Sequence, residues 1–202
     1  MAKIGAIILA AGESSRFGAP KQLLQIRGKT LLRRMVEAAA SAQCSPIVVV
    51  TGNVAGKIRE ELTGVAVSIV ENENWQSGLG TSIRSGAQHL TRSDDDVGAI
   101  ILLVCDQPFV DAQTIKGLIA VWEKSKKAIV ASSYANTLGV PTLFDRSCFD
   151  ELLKLPDDSG AKPIIVSNPD RVATFPFQNG AIDIDTMEDW NQFVADNQDS
   201  LG

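Results

Sequence analysis

Three stretches of this 202-residue chain are apolar almost without interruption: "KIGAIILA" (3–10), "PIVVVTG" (46–52) and "VGAIILLVCDQP" (97–108). A strand with one wet face alternates apolar and polar residues, whereas a strand covered on both faces has no polar side to show. Between these runs lie segments with helical spacing. "KTLLRRMVEAAASA" (29–42) lines up Leu31, Leu32, Met35, Val36 and Ala39, and "NVAGKIREELTG" makes a short helix ended by Gly64. Residues from about Gly80 to Leu90 read as a third helix. "DAQTIKGLIAVWEKSKK" places Asp111 as an N-cap before Ile115, Leu118, Ile119 and Trp122. "VAVSIVE" (65–71) and "AIVASSY" supply further strands. Doubly buried strands alternating with helices predict an α/β fold with a mostly parallel sheet covered on both faces.

Beyond about residue 134 the pattern breaks into shorter pieces: "GVPTLF", the helix "SCFDELLKL", the turn "PDDSGAKP", "RVATFPF" and "AIDIDTMEDW". These read as strands added to the same sheet, one of them antiparallel, so a single domain over 1–202 is expected. The amount of chain suits one full core. At 45% hydrophobic and 21% charged residues the composition is that of a globular protein. A net charge of −5 argues against nucleic-acid binding through a broad basic face. No apolar run approaches the roughly 20 residues that cross a bilayer, and "MAKIGAIILAAG" reads as a buried strand better than as a signal peptide. Cys44, Cys105 and Cys148 are odd in number, widely spaced and without a CxxC, as buried free thiols of a reducing compartment are. A cytoplasmic protein is expected, and a monomer, since no long hydrophobic stripe is left for a partner.

In an open α/β sheet, ligands bind outside the carboxyl ends of the strands. Three such ends carry unusual residues: the loop of "LAAGESSRFGAPKQLL" (9–24), Thr51-Gly52, and Asp106. The loop is neither a GxxxxGK[ST] phosphate loop nor a GxGxxG fingerprint. Gly12 nonetheless lets backbone N–H groups approach an anion, Ser14 and Ser15 can donate, and Arg16 and Lys21 bring positive charge to an acidic chain. Asp106, at the tip of an apolar strand, is placed to hold Mg²⁺ against phosphate oxygens. "AIDIDT" reads as a strand with Asp183 and Asp185 on one side, either of which could add a metal oxygen, although Asp183 reads better as a wet edge position. In "ENENWQSGLGTSIRSG" (71–86), Asn72, Gly78, Gly80 and Ser82 form a polar loop suited to a base or ribose. His89, the one histidine, makes a His-based metal cluster or a Ser-His-Asp triad improbable. Trp75, Trp122 and Trp190 read as packing anchors.

With these residues assembled, the chain resembles the MobA-like nucleotidyltransferases. "LAAGESSRFGAPK" matches the pattern LAAGxSxRxGxxK throughout, and the likeness recurs at "ENENWQSGLGTSI", "CDQP", "GVPTLF", "DDSGAK" and "DIDTMEDW". "LAAG" with "DQP" is most similar to the molybdopterin cytidylyltransferase branch. The resemblance implies a Rossmann-like three-layer α/β/α fold, with a nucleotide-binding part over about 1–110 and an acceptor-binding part over about 111–202. It implies Mg²⁺-dependent transfer of CMP from CTP to molybdopterin with release of pyrophosphate. A molybdoenzyme or its chaperone is an implied partner. Catalysis would fall to Lys21, Arg16 and Asp106. The nucleotide would be held by Leu9, Ala10, Ala11, Gly12, Ser14, Arg16, Lys21, Thr51, Gly52, Asn72, Gly78 and Ser82. The acceptor would meet Gly139, Pro141, Asp158 and Gly160, and the metal Asp106 and Asp185. Met187 stands where the family tail usually has proline, which should matter little. "GAPKQ" is shared with isoprenoid-pathway cytidylyltransferases. Alternatives are therefore a guanylyltransferase, a sugar- or polyol-phosphate nucleotidyltransferase, and a non-catalytic nucleotide- or cofactor-binding protein.

Overall fold

The computed structural model describes residues 2–12 and 17–197. The sheet strands are β1 (Lys3–Ala10), β2 (Ile47–Thr51), β3 (Ser68–Glu71), β4 (Val97–Val104), β5 (Ile129–Tyr134), β6 (Thr137–Asp145) and β7 (Val172–Pro176). The helices are α1 (Leu31–Ser41), α2 (Ala55–Glu61), α3 (Leu79–Ser93), α4 (Ala112–Ser125), α5 (Phe149–Leu153), α6 (Lys162–Val166) and α7 (Met187–Asp196). A small two-stranded ribbon, Gln25–Ile26 with Lys29–Thr30, precedes α1. The seven strands form one sheet in the order β3-β2-β1-β4-β6-β5-β7. Every neighbouring pair is parallel except those made by β6, which runs antiparallel to both β4 and β5. The expected mostly parallel sheet, with its antiparallel strand in the later part, is what forms.

The strands alternate between two cores. Ala6, Ile8, Val49, Ile101 and Leu103 face α1, α2 and α4 through Met35, Val36, Ile58, Ile115 and Leu118. Ile7, Val48, Val50, Ile100 and Phe144 face α3, α5 and α6 through Ile83, Leu90, Leu152 and Ile165. That division explains the unbroken apolar runs, because successive residues of each strand go to opposite cores. The helix starts follow local chemistry: Thr30 Oγ1 accepts the Arg33 N–H at 3.0 Å, and Asp111 Oδ1 accepts the Thr114 N–H at 2.8 Å.

"AIDIDT" departs from expectation. Residues 182–185 form no ladder, and Ile184 makes a single backbone bond, its N–H to the Asp106 carbonyl at 2.9 Å. The alternation has another cause. Ile184 is fully buried in a third cluster with Phe17, Ile26, Leu31 and Phe193, which pins the segment and turns its acidic neighbours outward. α7 follows at once through a capping box between Thr186 and Asp189. Met187 occupies its first position, half exposed, where a proline would also fit.

Candidate active site

The chain leaves β1 toward β2 on one side of the sheet, while β4 lies on the other. The carboxyl ends of β1 and β4 therefore flank a topological switch point, where such sheets open a crevice. A cleft of about 480 Å³ lies there, lined by Leu9–Gly12 from β1, Lys21 and Gln22, and Val104–Asp106 from β4. Trp75, Gln76, Gly78, Leu79 and Ser82, from the start of α3, close it.

Charge concentrates at one end. Lys21 Nζ donates to Asp106 Oδ2 at 2.7 Å and to Asp185 Oδ1 at 2.9 Å, joining residues 85 and 164 positions away in the chain. Burial opposes the Lys21 ammonium, but the charge and hydrogen bond of Asp106, and then those of Asp185, outweigh it and hold Lys21 above the ordinary lysine value. Asp183 stands beside the same group. Desolvation of its carboxyl, and then the charges of Asp106 and Asp185, push it above the usual carboxylate range. Cys105 lines the cleft, yet burial and then the Asp106 charge push its thiol up, so it stays protonated and is a poor nucleophile. The three cysteines are buried and unpaired.

Gln22, missed from sequence, is almost fully buried. Its Nε2 donates to the Ala10 carbonyl at 2.7 Å and lies 3.4 Å from that of Gly12, tying the end of β1 to the turn that carries Lys21. Buried polar groups keep their partners, so this side chain holds the turn at Lys21 against the end of β1. Trp75 was assigned to packing and does pack, against Gly52, but it also faces the cleft.

The other sequence candidates divide. Leu9, Ala10, Ala11, Gly12, Lys21, Gly78, Ser82 and Asp106 line the cleft. Ser14 and Arg16 lie outside the described residues. Thr51 and Gly52 are buried behind the cleft wall: a Cβ on Gly52 would lie 2.8 Å from Trp75 Cγ and 3.0 Å from the Ala11 carbonyl. Asn72 is buried too. Its Nδ2 donates to Thr81 Oγ1 at 2.8 Å and to Ser82 Oγ at 3.0 Å, while its Oδ1 accepts the Asn74 N–H at 3.0 Å. Its hydrogen-bonding capacity is used within the loop, so Asn72 shapes the site without facing the cleft. Gly78 has φ 129°, and a Cβ there would strike the backbone of Asp157 and Asp158; one on Gly80 would overlap the Pro156 carbonyl. The glycines of "GLG" therefore admit the 156–160 turn against the start of α3, where Gly80 N–H donates to the Asp157 carbonyl at 2.9 Å. Arg84 holds the same turn through the Leu155 carbonyl and the Asp157 carboxylate.

Beyond Leu79 lies a second, smaller chamber of about 220 Å³, into which Gly139 and Gly160 open. Of the other two acceptor candidates, Asp158 is exposed and stands outside the chamber lining, and Pro141 is buried with its carbonyl accepting from Ser132 Oγ at 2.7 Å. Leu9, Leu79 and Val104 border both cavities and form the wall between them.

A family model described as the MobA-like NTP transferase domain matches residues 6–172. Bifunctional protein GlmU of Bifidobacterium adolescentis is 33% identical over 150 residues, 72% of this chain and 32% of its own length. The chain thus spans about a third of the length of the GlmU proteins it matches. Nicotine blue oxidoreductase of Paenarthrobacter nicotinovorans is 27% identical over 164 residues, 80% of this chain and 74% of that one. The crystal structure of Rv0371c from Mycobacterium tuberculosis superposes with a TM-score of 0.82 at 28% identity, covering 96% of this chain and 98% of that one. The same protein has been solved in complex with manganese, at a TM-score of 0.75. Among the described residues no helix is long and apolar enough to cross a membrane. The match over residues 6–172 places the chain in the MobA-like NTP transferase domain family.

Proposed function

We propose that this chain transfers a nucleotidyl group from an NTP to a phosphate-bearing acceptor with release of pyrophosphate, and that CTP and molybdopterin are its substrates. The observation that carries the reading is the Lys21 ammonium gripping Asp106 and Asp185 at the mouth of a backbone-lined cleft. The N–H groups of the Ala10–Gly12 segment and the Lys21 charge suit a triphosphate. An oxygen of the acceptor phosphate bonds to the α-phosphorus as the bond to the β-phosphate oxygen breaks, and the electron pair leaves with pyrophosphate. No side-chain nucleophile is required. Positioning and neutralisation of charge at the α-phosphate, the role assigned to Lys21, supply the catalysis.

The residues also fit a divalent cation. Asp106 and Asp185 already share a cation, the Lys21 ammonium, and carboxylate oxygens are hard donors. Among the described residues no group of three or more His, Cys, Asp or Glu side chains makes a metal cage of its own. That suits an ion such as Mg²⁺, which keeps waters and takes phosphate oxygens as further ligands. Held by Asp106 and Asp185, it would neutralise phosphate charge as a Lewis acid. The manganese complex of Rv0371c supports a divalent ion in this family.

A second reading, a reductase moving hydride between a dinucleotide and a ring in the chamber, is favoured by the likeness to nicotine blue oxidoreductase along 74% of that protein. Hydride transfer, however, gives the Lys21–Asp106–Asp185 group no work. Equilibrium binding of CTP, GTP, ATP, UTP and NADPH with Mg²⁺, beside an Asp106→Asn control, decides. CTP preference that weakens in the control is the expected result. GTP preference would move the chain to guanylyl transfer, NADPH binding alone would favour the reductase, and binding of none would overturn the proposal.

A further inference from the structure

The chamber beside the cleft sets a condition on whatever accepts the nucleotide. Its volume of about 220 Å³ equals roughly seven waters at about 30 Å³ each, the space of a small fused ring. Its walls are mostly aliphatic, with Ile83, Leu102, Leu138 and Val140 among them, and the hydroxyls of Tyr134 and Thr137 are turned to Gln107 and Lys162. The hydroxyl of Thr142 is already directed to the Gly139 carbonyl at 2.6 Å. Among the described lining residues, Lys162 alone carries charge. Its Nζ donates to Thr137 Oγ1 at 2.8 Å, and among the described residues it has no carboxylate partner, in contrast to Lys21. Lys162 also borders an outer groove of about 660 Å³ with Ser133, Asn136 and Gln178, so it stands between the chamber and solvent.

Resting on the nucleotidyl-transfer reading, we infer that the acceptor has two polar ends. Its phosphate enters the cleft, a flat ring-sized body fills the chamber with its faces against the aliphatic side chains, and a second anionic or carbonyl group meets Lys162. A polyhydroxylated acceptor of the same size fits poorly, because each hydroxyl turned to an aliphatic wall loses its water and gains no partner. An ammonium with a neutral partner, by contrast, gains a charge-assisted bond when an anion arrives. Lys162 is thereby a specificity-determining residue and takes no part in the bond exchange at phosphorus.

The test titrates the full chain, with and without α,β-methylene-CTP, using the fluorescence of 2-naphthyl phosphate and of 6-carboxy-2-naphthyl phosphate. Glucosamine-1-phosphate is measured by displacement of the former. The carboxylated probe should bind about tenfold more tightly than the plain one, the effect of one charge-assisted hydrogen bond. Lys162→Ala should erase that difference and leave the plain probe unchanged. Leu79→Trp, a change at a half-exposed position that narrows the chamber, should weaken both probes by about tenfold or more. Equal weakening of both probes by Lys162→Ala, or glucosamine-1-phosphate binding as tightly as 2-naphthyl phosphate, overturns the inference. Calorimetry with α,β-methylene-CTP separates the two claims. Analogue binding without probe selectivity sinks the chamber assignment alone, whereas probe selectivity without analogue binding sinks nucleotidyl transfer.

Discussion

The cleft and the chamber share a wall but are built from opposite materials. The cleft is made of main chain and charge: the end of β1, a buried glutamine holding it, and a lysine between two carboxylates. The chamber is made mainly of aliphatic side chains, with Tyr134 and two threonines among them and one cation at its outer edge. The difference follows from what each region must do. Charge has to be fixed in place where bonds to phosphorus exchange, since oriented dipoles and ions cost no reorganisation at that moment. Where a ligand is only sorted, shape and the absence of polar partners suffice.

Four changes would break or sharpen that contrast. Asp106→Asn should have the largest effect, a loss of metal-dependent turnover on the order of 1,000-fold, with the fold and the preference for the carboxylated probe intact. Unchanged activity across a magnesium titration would remove Asp106 from the mechanism. Lys21→Ala should lower kcat by about 100-fold or more, as removal of one charged transition-state donor does, again without touching the chamber. A variant turning over within a few-fold of wild type would end that role. Gly80→Ala strikes the wall itself, because its Cβ would overlap the Pro156 carbonyl. It should destabilise the protein by about 1–3 kcal/mol and weaken nucleotide and probe together; a thermal melt unchanged from wild type would show that the wall gives way freely.

The smallest effect is at Asp183. A carboxyl held above its ordinary value of 3.8 in the folded chain penalises folding when ionised. That penalty is present above the folded-state pKa and vanishes below the unfolded one. Asp183→Asn should therefore stabilise the metal-free protein at pH 7 by less than about 1 kcal/mol, with the gain fading as the pH falls toward 4. A lower melting temperature at pH 7 would mean that the hydrogen bond with Gln107 and the Lys21 charge, which favour the ionised carboxyl, outweigh its desolvation. Retained metal dependence in this variant, with loss in Asp185→Asn, would assign the second carboxylate ligand.

Much of the fold was legible because its signals are local or periodic. The runs ending at Ala10, Thr51 and Val104 announced doubly covered strands, and Asp111 announced a helix start. Lys21 and Asp106 were conspicuous as charges in the loop after β1 and at the tip of β4, and the fold brings the two within 2.7 Å. What was not legible depends on tertiary approach. Gly78 and Gly80 looked like a ligand loop, and their spacing could not reveal that a distant turn, at 156–160, needs the room. Asn72 looked available, and only the fold shows Thr81 and Ser82 occupying its amide. "AIDIDT" mimicked a strand because one buried isoleucine between two acids produces the same alternation that a ladder does. The chamber was legible only in part: "GVPTLF" and "DDSGAK" contain Gly139 and Gly160, but much of the rest of its lining comes from β1, β4 and the start of α3, far apart in the chain.

The ion pair around Lys21 also bears on how a ligand arrives. The chain as a whole carries a net charge of −5, so a polyanion diffusing toward it meets repulsion at long range. The attraction of Lys21 is felt only within a screening length, about 8 Å at physiological salt, and two carboxylates already oppose it. A bare triphosphate is therefore slowed on approach, whereas one travelling with its own counter-ion is not. Encounter, before any chemistry, favours the nucleotide that comes already partly neutralised.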